Sequence, residues 1–305
     1  MKIVNIMGGL GNQMFQYAFA ETLRIAFPHE DIYIDTHHYK YNGYKIHQGF
    51  EIYKVFSNAK IPVAGWSKVA KLSYYVPNFW LSRVVRKIFP MRKAEFRDRM
   101  HYKYYPEAYE NNGDGYYDGY WQSAKYFMPY RDHILKVYQH GEPNEYNKQM
   151  IDMMNACSSV GIHVRRGDYK TSPQFYGICN QEYYNKAIQQ MKTKVDNPTF
   201  FIFSDDVDYC RKNIAPIIGG TEIIYITENR GGNSYWDMLL MSHCKNLIIA
   251  NSSFSWWGAF LNNNSGIIMS PTHWVNRNEE QETPMENWIK ICTVRLVKFP
   301  ELCYY

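Results

Sequence analysis

From residue 158 onward the chain alternates short β-branched apolar runs with helical stretches, and that alternation limits the fold more than any other feature. The runs lie at 159–164, 199–203, 222–226, 246–250 and 266–269; the helical stretches between them are 181–191, 207–214, 234–243 and 253–261. Repeated βα alternation predicts a parallel, doubly wound sheet. The opening carries the same signature: an apolar run at 2–7, a turn Gly8-Gly9-Leu10-Gly11, a helical stretch from Asn12 to Ile25, and a second run at 31–35. Between about 40 and 140 the pattern is irregular. Helical stretches at 66–75 and 80–88 precede a tyrosine-rich tract, 102–120, which contains Asn111-Asn112-Gly113-Asp114-Gly115 and reads as loop and turn. A turn at Gly141–Asn144 followed by a helix at 147–156 marks the junction. The expectation is an α/β protein of two Rossmann-like domains facing a cleft, 1–145 and 146–305, with room for the last segment to pack back on the first domain.

Charge narrows the function. Lys plus Arg number 34 against 29 Asp plus Glu, enough for a local anion site but not for the basic face of a nucleic-acid binder. The six cysteines are scattered with no C-x-x-C pair, which reads as free thiols in a reducing compartment rather than a disulfide framework or zinc site. The first residues are too short and polar for a signal peptide, and no run approaches the roughly 20 apolar residues of a membrane span. A cytoplasmic protein is expected, with at most a loose association at the membrane surface. The 28 tyrosines suit stacking on sugar faces and core packing equally.

In doubly wound sheets, ligands sit at the carboxyl ends of strands. Gly8, Gly9 and Gly11 follow the first run; His163, Arg165, Arg166 and Asp168 follow the run at 159–164; Ser204, Asp205 and Asp206 follow another. Asn251-Ser252-Ser253-Phe254 opens a helix, offering N–H groups and hydroxyls to an anion. Two arginines on one loop and a helix start on another would form a diphosphate cradle, since the guanidinium fork takes phosphate oxygens in pairs. The competing readings are a surface salt bridge from Arg165 or Arg166 to Asp168, and ordinary capping by Ser252 and Ser253. A dinucleotide fingerprint at the glycine turn fails because Met14 stands where a small residue is needed. Asp206-Val207-Asp208 has the form of a metal–diphosphate motif, but acids there also suit a helix's first turn. His37, His38, His101, His163 and His273 form no metal-binding helical pair; His163 lies two positions before Arg165, on the same face of an extended strand.

Four stretches together, GGLGNQMFQYA at 8–18, HVRRGDY at 163–169, FSDD at 203–206 and ANSSFSWWGA at 250–259, resemble the motif set of the α-1,2-fucosyltransferase family. GYWQSAKYF at 119–127 and the segment 237–244 resemble it too, so the likeness runs from residue 3 to about 275. The resemblance implies a GT-B fold and inverting transfer of fucose from GDP-fucose to the 2-hydroxyl of a galactose-terminated glycan, with no metal or other cofactor. It implies that Arg165 contacts the β-phosphate with Arg166 supporting it, and that Asn251, Ser252, Ser253 and Phe254 close over phosphates and nucleoside. His163 and Asp205 would lie near guanine or ribose, and Gly9, Gly11 and Asn12 would approach the diphosphate and fucose. Asp168 either holds the arginines or touches substrate. The general base is not readable; Asp35, His37, His38, Glu51 and Asp118 are all imaginable, as is the leaving phosphate itself. Other readings are a different GDP-sugar transferase on the same scaffold and a non-catalytic glycan-binding protein.

Overall fold

The computed structural model describes residues 1–40, 48–74, 81, 84–85, 88–98, 102–277 and 280–293. The chain divides into two units, Met1–Gly141 and Glu142–Tyr304, each built on its own parallel sheet.

In the first unit, strands β1 (Lys2–Asn5), β2 (Ile32–Asp35), β3 (Glu95–Arg97) and β4 (Gly115–Asp118) line up in the order β2-β1-β4-β3, every pair parallel. The order reverses between β1 and β4, so their carboxyl ends flank a topological switch point. Helix α1 (Leu10–Ala26) follows β1 and is buried on nearly all sides from Leu10 to Leu23, which is why its sequence shows apolar residues without a clear polar face. Met14 is fully buried in that core, filling the place where a dinucleotide fold would need a small residue. Lys2 is also fully buried. Its ammonium donates to the carbonyls of Asn111 (2.7 Å) and Gly113 (2.8 Å), tying the start of β1 to the turn before β4.

β4 corrects the expectation of loop throughout 102–120. Its four residues are flanked by turn formers, and Gly115, Tyr116 and Tyr117 are all buried, so the period-two alternation that marks a half-exposed strand is missing. β3 was equally hidden, being three residues long. The helical stretch at 66–75 is observed as Trp66–Leu72. Most of the stretch at 80–88, His101 and the segment after residue 293 lie outside the described residues.

The second unit holds β5 (Ser158–Val164), β6 (Pro198–Ser204), β7 (Ile223–Ile226), β8 (Asn246–Ile248), β9 (Ile268–Pro271) and β10 (Ile289–Ile291) in the order β10-β9-β8-β5-β6-β7, again all parallel. Its switch point falls between β5 and β8. These are the strands that end in the arginine motif and in the serine-rich helix start. Val160, Ile162 and Val164 alternate into a core with Phe200, Ile202, Tyr183 and Ile188. Gly161 lets β5 lie close to its neighbours: a Cβ there would stand 2.7 Å from Leu247 Cδ2 and 3.0 Å from Cys244 Sγ. The edge strand β10 was not expected; three residues are too few to carry a pattern.

Around the sheet lie α2 (Glu145–Ala156), α3 (Gln181–Lys192), α4 (Tyr235–His243) and α5 (Ser253–Phe260). The single helix expected over 207–214 is instead a short turn at Val207–Tyr209, a π-helical stretch at Cys210–Ile214 and a final turn at Ala215–Ile218. Pro216 has no N–H to donate and its ring crowds the preceding turn, which widens the helix. Among the described residues Cys157, Cys179, Cys210, Cys244 and Cys292 are free thiols.

A buried amide chain pins α2 to α4. Asn144 caps α2 by accepting from Asn147 N–H (2.9 Å), and Asn147 and Asn229 exchange side-chain hydrogen bonds of 3.2 and 2.9 Å. Asn229 Nδ2 then donates to Asp237 Oδ1 (3.0 Å). Burial pushes the Asp237 carboxyl up to about 7, against the opposing effects of the Asn229 bond and the Arg230 charge. An acid whose proton is held more tightly in the folded than in the unfolded chain, where it titrates near about 3.9, stabilises below that value and loses its contribution as pH rises through the folded value. The urea midpoint of the wild type is therefore expected to fall between pH 5 and pH 8. Asp237→Asn, which keeps the acceptor oxygen, should flatten that fall and be the more stable of the two at pH 8; equal slopes for both proteins would contradict this account.

Candidate functional site

The loop leaving β5 is held by one carboxylate. Asp205, at the end of β6, accepts from the backbone N–H of Arg166 (2.9 Å) and of Gly167 (3.0 Å), and its Oδ2 lies 3.0 Å from Arg165 Nη1. Gly167 is required beneath this clamp because a Cβ there would sit 2.7 Å from Asp205 Oδ2. Arg165 also donates through Nη2 to Asp168 at 2.7 Å. The salt bridge of the competing reading is thus present, but as one of two carboxylates around Arg165. Asp205, expected near guanine or ribose, directs both oxygens at the loop leaving β5.

Arg166 plays a different part. Its guanidinium stacks 3.5 Å over the Tyr209 ring and its Nε donates to Asp206 Oδ2 (3.3 Å), which also receives Lys170 Nζ (2.8 Å). Asp206 Oδ1 accepts from Tyr209 N–H, so this acid caps its helical turn. The Lys170 bond and the Tyr209 N–H bond hold its carboxyl below the usual range. The loop therefore gathers Arg165, Arg166 and Lys170 against Asp168, Asp205 and Asp206, a cluster with no net charge. Asp168, the most exposed of the three acids at 51%, is the partner most easily exchanged.

β8 and α5 supply the second part of the site. Asn251 is buried and donates through Nδ2 to the carbonyl of Trp274 (3.0 Å), fixing the turn before α5. Ser252 is the N-cap of α5, yet its hydroxyl makes no cap bond, so the ordinary-capping reading fails for it. Tyr169 joins the two loops: its hydroxyl donates to the carbonyl of Asn251 (3.2 Å), and its ring stacks on Phe175 at 4.5 Å. His163 and Phe254 meet, ring centroids 6.0 Å apart. Burial, reinforced by the nearby Arg165 charge, pushes the His163 imidazole down to about 3, so it is neutral near pH 7. Its buried Nδ1 has no hydrogen-bond partner among the described residues. The structure thus brings His163, Arg165, Arg166, Asp168, Asp205, Asn251, Ser252, Ser253 and Phe254 to the carboxyl ends of three strands, two of which flank the switch point. Sequence reasoning missed Tyr169, Lys170 and Tyr209; two adjacent arginines followed within five residues by an aromatic and a lysine were the available signal.

In the first unit the glycine turn after β1 is held by amides. Gly8, at φ +85°, is the position only glycine suits, because a Cβ would also meet Asn12 Nδ2 at 2.6 Å. Gly9 is the N-cap of α1, and Gly11 is buried in its first turn. Gln13 Nε2 donates to the carbonyls of Gly8 (3.1 Å) and Gly49 (2.7 Å). Across the switch point Gln122 Nε2 donates to Asn12 Oδ1 (2.7 Å), and Gln16 Nε2 donates to the carbonyl of Gly119 (3.0 Å). Asp35, at the end of β2, accepts from His37 N–H (2.9 Å) and Tyr116 hydroxyl (2.8 Å) and lies 2.5 Å from His37 Nδ1. Burial would raise this carboxyl, but the bonds from His37 and Tyr116 outweigh it and hold it below the usual range. Among the described residues no group of three or more His, Cys, Asp or Glu is set to hold a metal, and no helix is long and apolar enough to cross a membrane.

The chain is 32% identical over 303 residues to an α-1,2-colitosyltransferase of Escherichia coli, covering 95% of this chain and 98% of that one. It is 25% identical over 274 residues to a galactoside α-(1,2)-fucosyltransferase 2 of Mus musculus, covering 85% and 67%. Among solved structures it is similar to an α-1,6-fucosyltransferase, NodZ, soaked with GDP-fucose, at 16% identity and TM-score 0.49, covering 85% and 91%. The chain is α/β, with a parallel sheet in each of its two units. The pattern of Glycosyl transferase family 11 matches residues 1–292, and the chain belongs to that family.

Proposed function

We propose that this glycosyltransferase moves an L-fucosyl group from GDP-fucose to the 2-hydroxyl of a galactose-terminated glycan, with inversion and without a metal. The observation that carries this reading is the Arg165 loop: a guanidinium held by Asp205 beside the helix start at Ser252, at the switch point of the second sheet. As the bond from the sugar to the phosphate oxygen breaks, charge grows on the leaving GDP. A cation already positioned for that charge stabilises the transition state more than the bound ground state. An incoming diphosphate would take the place of the exposed Asp168 carboxylate on Arg165, while the Asp205 clamp keeps the guanidinium oriented. The bond to Asp206 and the stack on Tyr209 make Arg166 a fixed support. The unpartnered His163 Nδ1 and the Phe254 ring suit a planar, hydrogen-bonding base.

A second donor reading rests on a specific observation, the 32% identity to a colitosyltransferase. Colitose lacks one hydroxyl of fucose. A site that hydrogen-bonds that hydroxyl discriminates strongly, and one lined by apolar groups does not. Measuring GDP release from GDP-fucose and GDP-colitose with galactose-terminated acceptors, and the linkage of the product, tests both readings; turnover of neither donor overturns the proposal.

Two substitutions test the site. Arg165→Ala is expected to lower kcat by about 10²-fold or more, the loss typical of one strong donor to a developing charge, and Arg165→Lys should remain poor because a point charge cannot replace the fork. Normal turnover in a folded Arg165→Ala protein would remove Arg165 from the mechanism. Asp205→Ala leaves two backbone N–H groups without their acceptor, and calorimetric titration should show GDP binding weakened about tenfold or more, in line with the loss of charge-assisted hydrogen bonds; unchanged affinity would mean the clamp does not preorganise the loop.

A further inference from the structure

Between residues 52 and 94 the chain carries nine Lys and Arg and not one Asp or Glu. The whole chain holds only five more cations than acids, so everything outside this stretch is acidic by four. A run that is cationic throughout creates a field of its own against the rest of the molecule. The acid that ends it, Glu95, does not offset it at the surface: its carboxylate is buried and accepts from Ser73 Oγ (2.6 Å) and Arg97 Nη2 (2.9 Å).

Apolar side chains stand in water along the same stretch. Eight of the twelve large hydrophobic residues that are exposed among the described residues lie in it. Leu81, Val84, Val85 and Ile88 have helical backbone, and the spacing 81, 84, 88 puts three of them in one stripe. Leu81, Val84 and Ile88, with Phe89 and Met91 after them, are 42–70% exposed, while Val85 at the edge of the stripe is half-buried. Cations adjoin it. The Phe89 ring packs on Tyr74, centroids 5.5 Å apart, and the Arg92 guanidinium lies 4.7 Å from the same Tyr74 ring. Arg92 also donates to the carbonyls of Ala70 (2.8 Å) and Lys71 (3.1 Å), which ties the apolar turn to the end of the helix Trp66–Leu72. Lys71 and Lys93, both exposed, flank these contacts in the chain.

We propose that the face formed by Leu81, Val84, Ile88 and Phe89, with Lys71 and Lys93 at its rim, docks on the surface of a membrane that bears anionic lipid. A stripe of aliphatic and aromatic groups bordered by cations is the pattern of a segment lying in the plane of a bilayer interface, its apolar groups in the acyl boundary and its charges at the lipid phosphates. Charge decides against the other occupants. A second copy meeting the same face would set nine cations against nine. A nucleic acid would take up the cations but gain nothing from Leu81, Val84 and Ile88.

Sedimentation of the full chain with vesicles tests the proposal. The chain is expected to bind vesicles of phosphatidylcholine with phosphatidylglycerol about tenfold or more tightly than vesicles of phosphatidylcholine alone, and to lose that preference as salt approaches about 1 M. Ile88→Asp should weaken binding about tenfold or more, and so should Lys71→Glu combined with Lys93→Glu. Both variants should keep the wild-type thermal midpoint, because the altered side chains are exposed. No binding to either vesicle, equal binding to both, or full binding by either variant overturns the proposal. So does a concentration-dependent dimer that Ile88→Asp dissolves without any vesicle binding, which would assign the face to a second copy. Duplex DNA bound more tightly than the anionic vesicles would assign it to nucleic acid and overturn it as well.

Discussion

The Asp205 clamp is the interaction on which the second unit's site depends. A loop bearing two adjacent arginines would repel itself and sample many conformations if left to solvent. Two backbone N–H bonds from Arg166 and Gly167 to one carboxylate fix the path of the chain, and the ion pair with Arg165 fixes its guanidinium. The clamp requires glycine at 167 and an acid at the end of the adjacent strand β6. A parallel β5–β6 pairing in which Val164 lies opposite Ser204 supplies that neighbour. Sheet register, loop conformation and charge placement are therefore one arrangement, and a change in any of them reaches the arginine.

The two sheet ends use different chemistry for the same task. In the first unit the switch point is held by neutral amides: Gln13, Gln16, Asn12 and Gln122 bond carbonyls and one another. In the second unit the corresponding loop is held by ions. Amides fix backbone without creating a field. An ionic cluster of zero net charge can be polarised toward an arriving diphosphate by moving one acid. This division of labour follows from side chains within each unit.

The parts of the fold legible in the sequence were those with long, regular periodicity. The strands of the second unit at 159–164 and 199–203 were predicted within a residue or so of β5 and β6, because fully buried parallel strands read as continuous apolar runs. β3, β4 and β10 escaped because three or four residues carry no period, and Tyr116 and Tyr117 in β4 face buried surroundings on both sides. In the site, residue types announced the loops but not their wiring. Nothing in FSDD says that Asp205 bonds the backbone of Arg166, 39 positions earlier, or that Asp206 caps its own turn; the first role depends on which strands become neighbours. Ser252 shows the reverse case, a residue whose local propensity pointed to capping and whose hydroxyl the structure leaves out of the cap.

Arg165 sits between two acids of unequal exposure, Asp205 at 27% and Asp168 at 51%. The pair in the less exposed geometry holds direction, since Asp205 is itself fixed by two further bonds. The other pair is a surface contact, and surface ion pairs are worth about 0–1 kcal/mol. A ligand with two phosphate oxygens can displace Asp168 at small cost while leaving Asp205 untouched. With Asp205 holding its direction, the Arg165 guanidinium keeps one orientation while the Asp168 contact is exchanged, and the energy of binding an anion need not be consumed in reordering a long side chain.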